Sequence, residues 1–169
     1  MNKDNQKLNN KGLSLIELIV VLAILAVIGG IIVLSTSVAT NKHVSSCAER
    51  LASSLEQTRS LVMGKQSGYI EITQSPGDYV YVQMTIDGNL YGNRVSVGHQ
   101  GLTVNYVRKD GSTGTLSAGS GLKIYFSRNG GVRNDMGDQI TKFTVTNGSR
   151  TVDVNIDLFT GRVEVVKVP

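Results

Sequence analysis

Hydrophobic and polar positions follow three different rules along the chain, and each rule predicts a different element. From Leu13 to Leu34, 18 of 22 positions are hydrophobic with no period, the pattern of a helix that is apolar all round. From Val44 a stripe takes over. Val44, Ala48, Leu51, Leu55 and Val62 recur at i, i+4, i+7, i+11 and i+18, while Glu49, Arg50, Glu56, Gln57 and Arg59 fall mostly elsewhere. The two stretches read as one helix from about Leu13 to Met63, ended by a left-handed cap at Gly64, with Gly68 reinforcing the stop. Past it the period shortens to two: Val80, Val82, Met84 and Ile86 share one strand face, and Thr151 to Leu158 repeats the alternation. Turn pairs at Asp87-Gly88, Asp110-Gly111, Asn129-Gly130, Asn147-Gly148 and Thr160-Gly161 punctuate these runs as antiparallel hairpins do. The spacing predicts a meandering sheet of about seven or eight strands, given ordinary strand lengths, whose apolar face covers the helix stripe. The fold class is α+β: a long N-terminal helix packed against an antiparallel β-sheet domain.

As a helix, Leu13 to Leu34 would extend roughly 33 Å, the thickness of a bilayer core. Lys3, Lys7 and Lys11 precede it, a bias that keeps the N-terminus in the cytoplasm and the C-terminal domain outside a single-pass cytoplasmic membrane protein. A conventional secretory signal fits less well. The run exceeds the usual h-region, and Ser35 to Thr40 only loosely offers a cleavage pattern of alanines. Between Leu13 and Asn41 the single ionisable side chain is Glu17. A carboxylate inside an apolar helix costs about 2.5–3.5 kcal/mol even on the lenient insertion scale, so it marks a functional site. It needs a cation. A cut between Gly12 and Leu13 would place the new α-amino group of Leu13 one turn from Glu17, on the same chain or a neighbour. Within the run, Gly29-Gly30 is either the softest point, at about 0.8–1 kcal/mol per glycine, or a place for close helix packing.

Lys11-Gly12-Leu13-Ser14-Leu15-Ile16-Glu17-Leu18, followed by Ile19 to Leu25, resembles the class III signal of type IV pilins and type II secretion pseudopilins. The resemblance implies a leader of residues 1–12 removed by a prepilin peptidase and N-methyltransferase, with Gly12 the cleavage site, Leu13 the methylated terminus and Glu17 the assembly carboxylate. Leu13 stands where the family usually has phenylalanine. Residues 13–34 would then be the transmembrane and assembly helix, 35–64 its amphipathic continuation and 65–169 the antiparallel β globular domain. Cys47 to Leu55 with Arg59, Ile124 to Gly131, and Leu158 to Val165 resemble the helix, aromatic-to-glycine turn and closing hairpin of GspH-type minor pseudopilins and related minor pilins. Major pilins commonly close a C-terminal loop with two cysteines, a pattern that Cys47 alone does not meet. The implied partners are other pilins or pseudopilins in a filament or tip complex, an inner-membrane assembly platform and membrane lipid.

Composition sharpens this picture chiefly by exclusion. The whole chain is 40% hydrophobic and 18% charged with a net charge of +4, but three lysines and one aspartate belong to the leader, so the mature remainder carries only +2. That is too little to argue a nucleic-acid partner from charge alone. One cysteine excludes an intrachain disulfide. No phosphate-cradling loop, nucleophile elbow or His-Glu-x-x-His is present, which argues against an enzyme. Three weaker signals compete with solvated loops and core packing. His43 and Cys47 stand at i, i+4, but a closed zinc site wants four ligands and His99 is far off in sequence, so no metal or other cofactor is expected. Asn134, Asp135 and Asp138 could gather around calcium, though Met136-Gly137 breaks a regular loop spacing. Arg94, Arg108, Lys109, Arg128, Arg133, Arg150 and Arg162 lie mostly near turns and could form a DNA-binding patch at the tip of the sheet, the alternative function of a DNA-uptake minor pilin; Arg128, Arg133, Arg150 and Arg162 are the candidates. Asn147-Gly148-Ser149 fits a glycosylation sequon but reads better as a hairpin turn.

Overall fold

The computed structural model of the chain describes residues 15–64, 67–77 and 79–168, with the side chains of 29–40 outside the description. One helix, α1, runs from Leu15 to Val62 over 48 residues and is helical without interruption through Gly29-Gly30. Ten strands follow: β1 (Gly68–Gln74), β2 (Val80–Ile86), β3 (Asn89–Ser96), β4 (Thr103–Arg108), β5 (Thr113–Thr115), β6 (Gly121–Phe126), β7 (Val132–Gly137), β8 (Ile140–Thr146), β9 (Thr151–Ile156) and β10 (Val163–Val168). The chain divides into two compact units, Met1–Val38 and Ala39–Pro169.

Within the second unit the strands make two five-stranded sheets, ordered β3-β2-β1-β6-β7 and β10-β9-β8-β4-β5. A single meander of seven or eight strands is therefore corrected to two antiparallel sheets holding ten. Two pairings between strands distant in sequence cause the difference. Strand β1 takes β6 as its second neighbour, with Ile70 opposite Ile124, and β4 takes β8, with Val104 opposite Val145. Hairpin alternation fixes neither.

Local chemistry explains what the sequence does predict. Val44, Ala48, Leu51, Leu55 and Val62 are fully buried, and they join Ile70, Ile72, Val80, Val82, Ile124, Phe126, Phe143, Val145, Val152 and Val154 in one apolar cluster drawing on the helix and both sheets. Dispersal of such residues between faces would leave no element able to bury its own apolar side alone. Asp87 and Gly88 form the two-residue β2–β3 turn, both with positive φ (50° and 80°), as the mirror-image turn that matches strand twist requires. Gly64 caps α1 with φ 83°, its N–H donating to the Arg128 carbonyl at 3.4 Å. Gly68 acts differently from a helix stop. It opens β1 in extended backbone, and a Cβ there would sit 2.4 Å from Val62 Cγ2 and 2.9 Å from Ile86 Cδ1, so glycine lets strand and helix end touch.

Side-chain hydrogen bonds tie the helix to the second sheet at both ends of residues 41–62. Near its start, Asn147 Nδ2 donates to Asn41 Oδ1 at 3.3 Å. Near its end, Arg59 Nε donates to the Thr160 carbonyl at 2.8 Å, and Glu56 Oε1 accepts the Val163 N–H at 2.8 Å. Strand β9 thus runs alongside the helix. The distances agree, since Asn41 to Arg59 is about 27 Å of helix and Arg150 to Asp157 about 23 Å of strand.

Candidate functional site

In the first unit, the apolar side chains from Leu15 to Ile28 stand in the open all round the helix: Leu15 and Ile16 are 77% and 71% exposed, and Leu18, Ile19, Val20, Val21, Leu22, Ile24, Leu25 and Val27 are each at least half exposed. Nothing in water stabilises such a surface, which at about 25 cal/mol per Å² strongly favours a covering of lipid or other helices. Among the described residues no helix is long and apolar enough to cross a membrane; the described side chains of this run stop at Ile28, and those of 29–34 fall outside. Glu17 lies in the first turn of α1, where the positive end of the helix dipole favours a carboxylate. Gly12 and Leu13 lie outside the described residues.

Residues 7–33 match a family model described as the prokaryotic N-terminal methylation motif. The chain carries a type IV pilin-like prepilin signal. No curated protein and no solved structure matches the chain. The prepilin signal covers the apolar run and Glu17 and stops short of the sheet unit, so the motif speaks for a pilin-like structural subunit that assembles with other pilins after peptidase processing.

The arginines of the sheet unit divide. Arg128 and Arg162 sit on turns that are stitched together at the C-terminal end of α1. There Val132 N–H donates to the Leu158 carbonyl at 2.9 Å, Arg59 reaches the Thr160 carbonyl, and Gly161 is pressed against Gly130. Between them Phe159 projects into solvent, 90% exposed. Its loop is well fixed: Asp157 accepts the N–H groups of Phe159 and Thr160 at 2.9 and 2.8 Å, and those hydrogen bonds, Thr160's first, hold its carboxyl below the usual range. Arg133, the second residue of β7, is nearby but is forked onto Asp135 through both Nε and a terminal nitrogen. Arg150 lies at the other end of β9, on the β8–β9 turn beside Asn41 and Asn147. Four candidates thus occupy two ends of the unit rather than one tip.

The acidic loop candidates are engaged with the protein. Asp135 pairs with Arg133, and Asp138 Oδ2 accepts the Lys123 N–H at 2.9 Å while Oδ1 faces Arg108 at 3.4 Å. Among the described residues no group of three or more His, Cys, Asp or Glu side chains could hold a metal ion. Cys47 is buried against Gly98, and burial pushes its thiol up to about 12, the behaviour of a small apolar contact. His99, remote in sequence, is brought against His43, with ring centroids 4.5 Å apart. The i, i+4 spacing of His43 and Cys47 could not reveal this. The pair arises because the β3–β4 loop folds back over the helix, a long-range event with no local signal.

Proposed function

We propose that the chain is a structural subunit of a type IV pilus or type II secretion pseudopilus, a minor pilin or pseudopilin of the GspH type. In this reading it is cleaved after Gly12 and N-methylated at Leu13. It is held in the cytoplasmic membrane with its sheet unit outside, then extracted by the assembly platform into a filament or tip complex. The observation that carries the reading is the methylation motif over residues 7–33 together with the uncovered apolar side chains of α1 from Leu15 to Ile28. Neighbouring copies of that surface would cover one another in a filament core, and lipid would cover it before assembly. Glu17 is the one carboxylate in the run, and pairing with the α-amino group of a neighbouring Leu13 would offset its cost on leaving water and fix the axial register of each added subunit. The test is Glu17→Ala in cells that assemble the filament. The variant is expected to be cleaved and retained in the membrane but to enter filaments poorly; incorporation at the unaltered level would refute the role of the carboxylate.

A second reading, a DNA-binding minor pilin, is favoured by Arg128 and Arg162 on adjoining turns beside the exposed Phe159 ring, since cations and a free aromatic face suit single strands. Its mark would be a gel shift that weakens steeply with salt and disappears when Arg128 and Arg162 are neutralised together.

A further inference from the structure

We infer that His43 and His99 form a two-imidazole site for a divalent transition-metal ion of tetragonal preference, copper(II) above all. Both rings are exposed and so within reach of ions in solution, while the backbone beneath each is fixed. His43 is on α1 between the helix-to-turn tie at Asn41 and the buried Val44 and Cys47. His99 follows Gly98 in the β3–β4 loop, where the N–H groups of Val97 and Gly98 both donate to the Val80 carbonyl, at 2.9 and 3.2 Å. Gly98 is itself seated so closely that a Cβ there would lie 3.0 Å from Val80 Cβ and 3.1 Å from Cys47 Sγ. The loop therefore holds its distance from the helix, and the two exposed imidazoles need only turn about their side-chain bonds to meet an ion between them.

The spacing of the two rings has a chemical meaning. A metal bound in the ring plane at about 2.0–2.1 Å from nitrogen lies about 3.2 Å from the imidazole centroid. Two such rings at a right angle about the ion have centroids about 4.5 Å apart, and at the tetrahedral angle about 5.2 Å. The observed separation is 4.5 Å with the rings tilted by 50° rather than stacked face to face. The separation equals that of two cis ligands on a square-planar or octahedral ion, and on that ground copper(II) and then nickel(II) are placed ahead of zinc. Both residues are exposed, so water from solvent would complete the coordination. Cys47, one helical turn on, is no third ligand: its sulfur is buried and the thiol stays protonated. With two protein ligands the site is open and exchangeable.

Such an ion would bridge α1 to the β3–β4 loop. Binding to the folded state alone raises stability by mass action. The experiment titrates copper(II), nickel(II) and zinc chlorides into the full-length chain in detergent after chelator treatment, by calorimetry and electron paramagnetic resonance. Expected is one copper(II) per chain with hyperfine coupling to two nitrogens, binding in the order copper, nickel, zinc, and an affinity lowered at least about tenfold by His43→Gln or His99→Gln, since even outer-shell losses cost metal sites 10–100-fold. Cys47→Ala should leave binding unchanged. Melting of the metal-free variants checks that they fold. Copper binding that survives in the H43Q/H99Q double variant, coupling to a single nitrogen, or no stoichiometric binding in the unaltered chain would overturn the assignment. None of these outcomes depends on filament assembly.

Discussion

Adding a single methyl group at Gly161 or at Gly148 separates backbone strain from steric stitching in the sheet unit. Both glycines have positive φ, 66° and 86°, so alanine costs about 1–2 kcal/mol at either site through its Cβ alone. Around Gly148 nothing lies within 4 Å of that Cβ. At Gly161 it would lie 1.9 Å from the Gly130 carbonyl oxygen and 3.1 Å from both Gly130 C and Arg59 Cδ. Restoring ordinary contact, which begins at 3.4 Å, moves the two turns about 1.5 Å apart. The hydrogen bonds from Val132 to Leu158 and from Arg59 to Thr160 lie across that gap. Losing them adds about 1–3 kcal/mol if the groups stay dry and less if water replaces them. Gly161→Ala should therefore destabilise by about 2–5 kcal/mol and Gly148→Ala by about 1–2. Urea unfolding of the detergent-held chain, followed by tyrosine fluorescence, reads this cleanly: there is no tryptophan, and all six tyrosines lie between Tyr69 and Tyr125. Equal losses at the two sites would refute the claim that the turns are locked by contact.

Two further perturbations probe the helix and the loop beneath Phe159. Leu51→Ala, at a fully buried position in the helix stripe, should cost about 2.7–5 kcal/mol in the same assay, whereas Ser53→Ala on the exposed face should cost little. Asp157 has its carboxyl held below the ordinary value by the Thr160 and Phe159 hydrogen bonds, so its contribution is present above the unfolded aspartate range near pH 4 and is lost as pH falls through the folded value. The stability gap between the unaltered chain and Asp157→Asn should then be constant from about pH 5 to 7 and close at lower pH, as followed by urea midpoints; a gap that widens in acid would contradict the sign.

How far these features can be read without coordinates depends on their range. The stripe from Val44 to Val62 is legible because a helix repeats every 3.6 residues, and a single buried face leaves that period in the chain. The turns at Asp87-Gly88 and Asn147-Gly148 are legible because positive φ at Asp87, Gly88 and Gly148 selects such residues locally. Strand β3 is not, since all but the last of its residues, Asn89 to Val95, are exposed and no alternation survives. Strand β7 begins with buried Val132 and then turns polar, so it is silent for the same reason. The division into two sheets is a matter of partner choice between β1 and β6 and between β4 and β8, which alternation does not encode. Gly68 illustrates the limit within one residue: a glycine after a helix reads as a stop, but its use here is to admit Val62 and Ile86. For the candidate site, Glu17 is conspicuous because a charge in an apolar run is costly. The separation of Arg150 from Arg128 and Arg162, and the meeting of His43 with His99, follow from tertiary folding alone.

Processing of the N-terminus bears most directly on the reading of this chain as a filament subunit. Intact-mass and N-terminal fragment analysis of the protein recovered from membranes of its native host should find a chain that starts at Leu13, lacks residues 1–12 and carries one added methyl group on its α-amino nitrogen. A chain retaining Lys11 and Gly12, one cut beyond Leu34, or one with an unmodified terminus elsewhere would contradict the account.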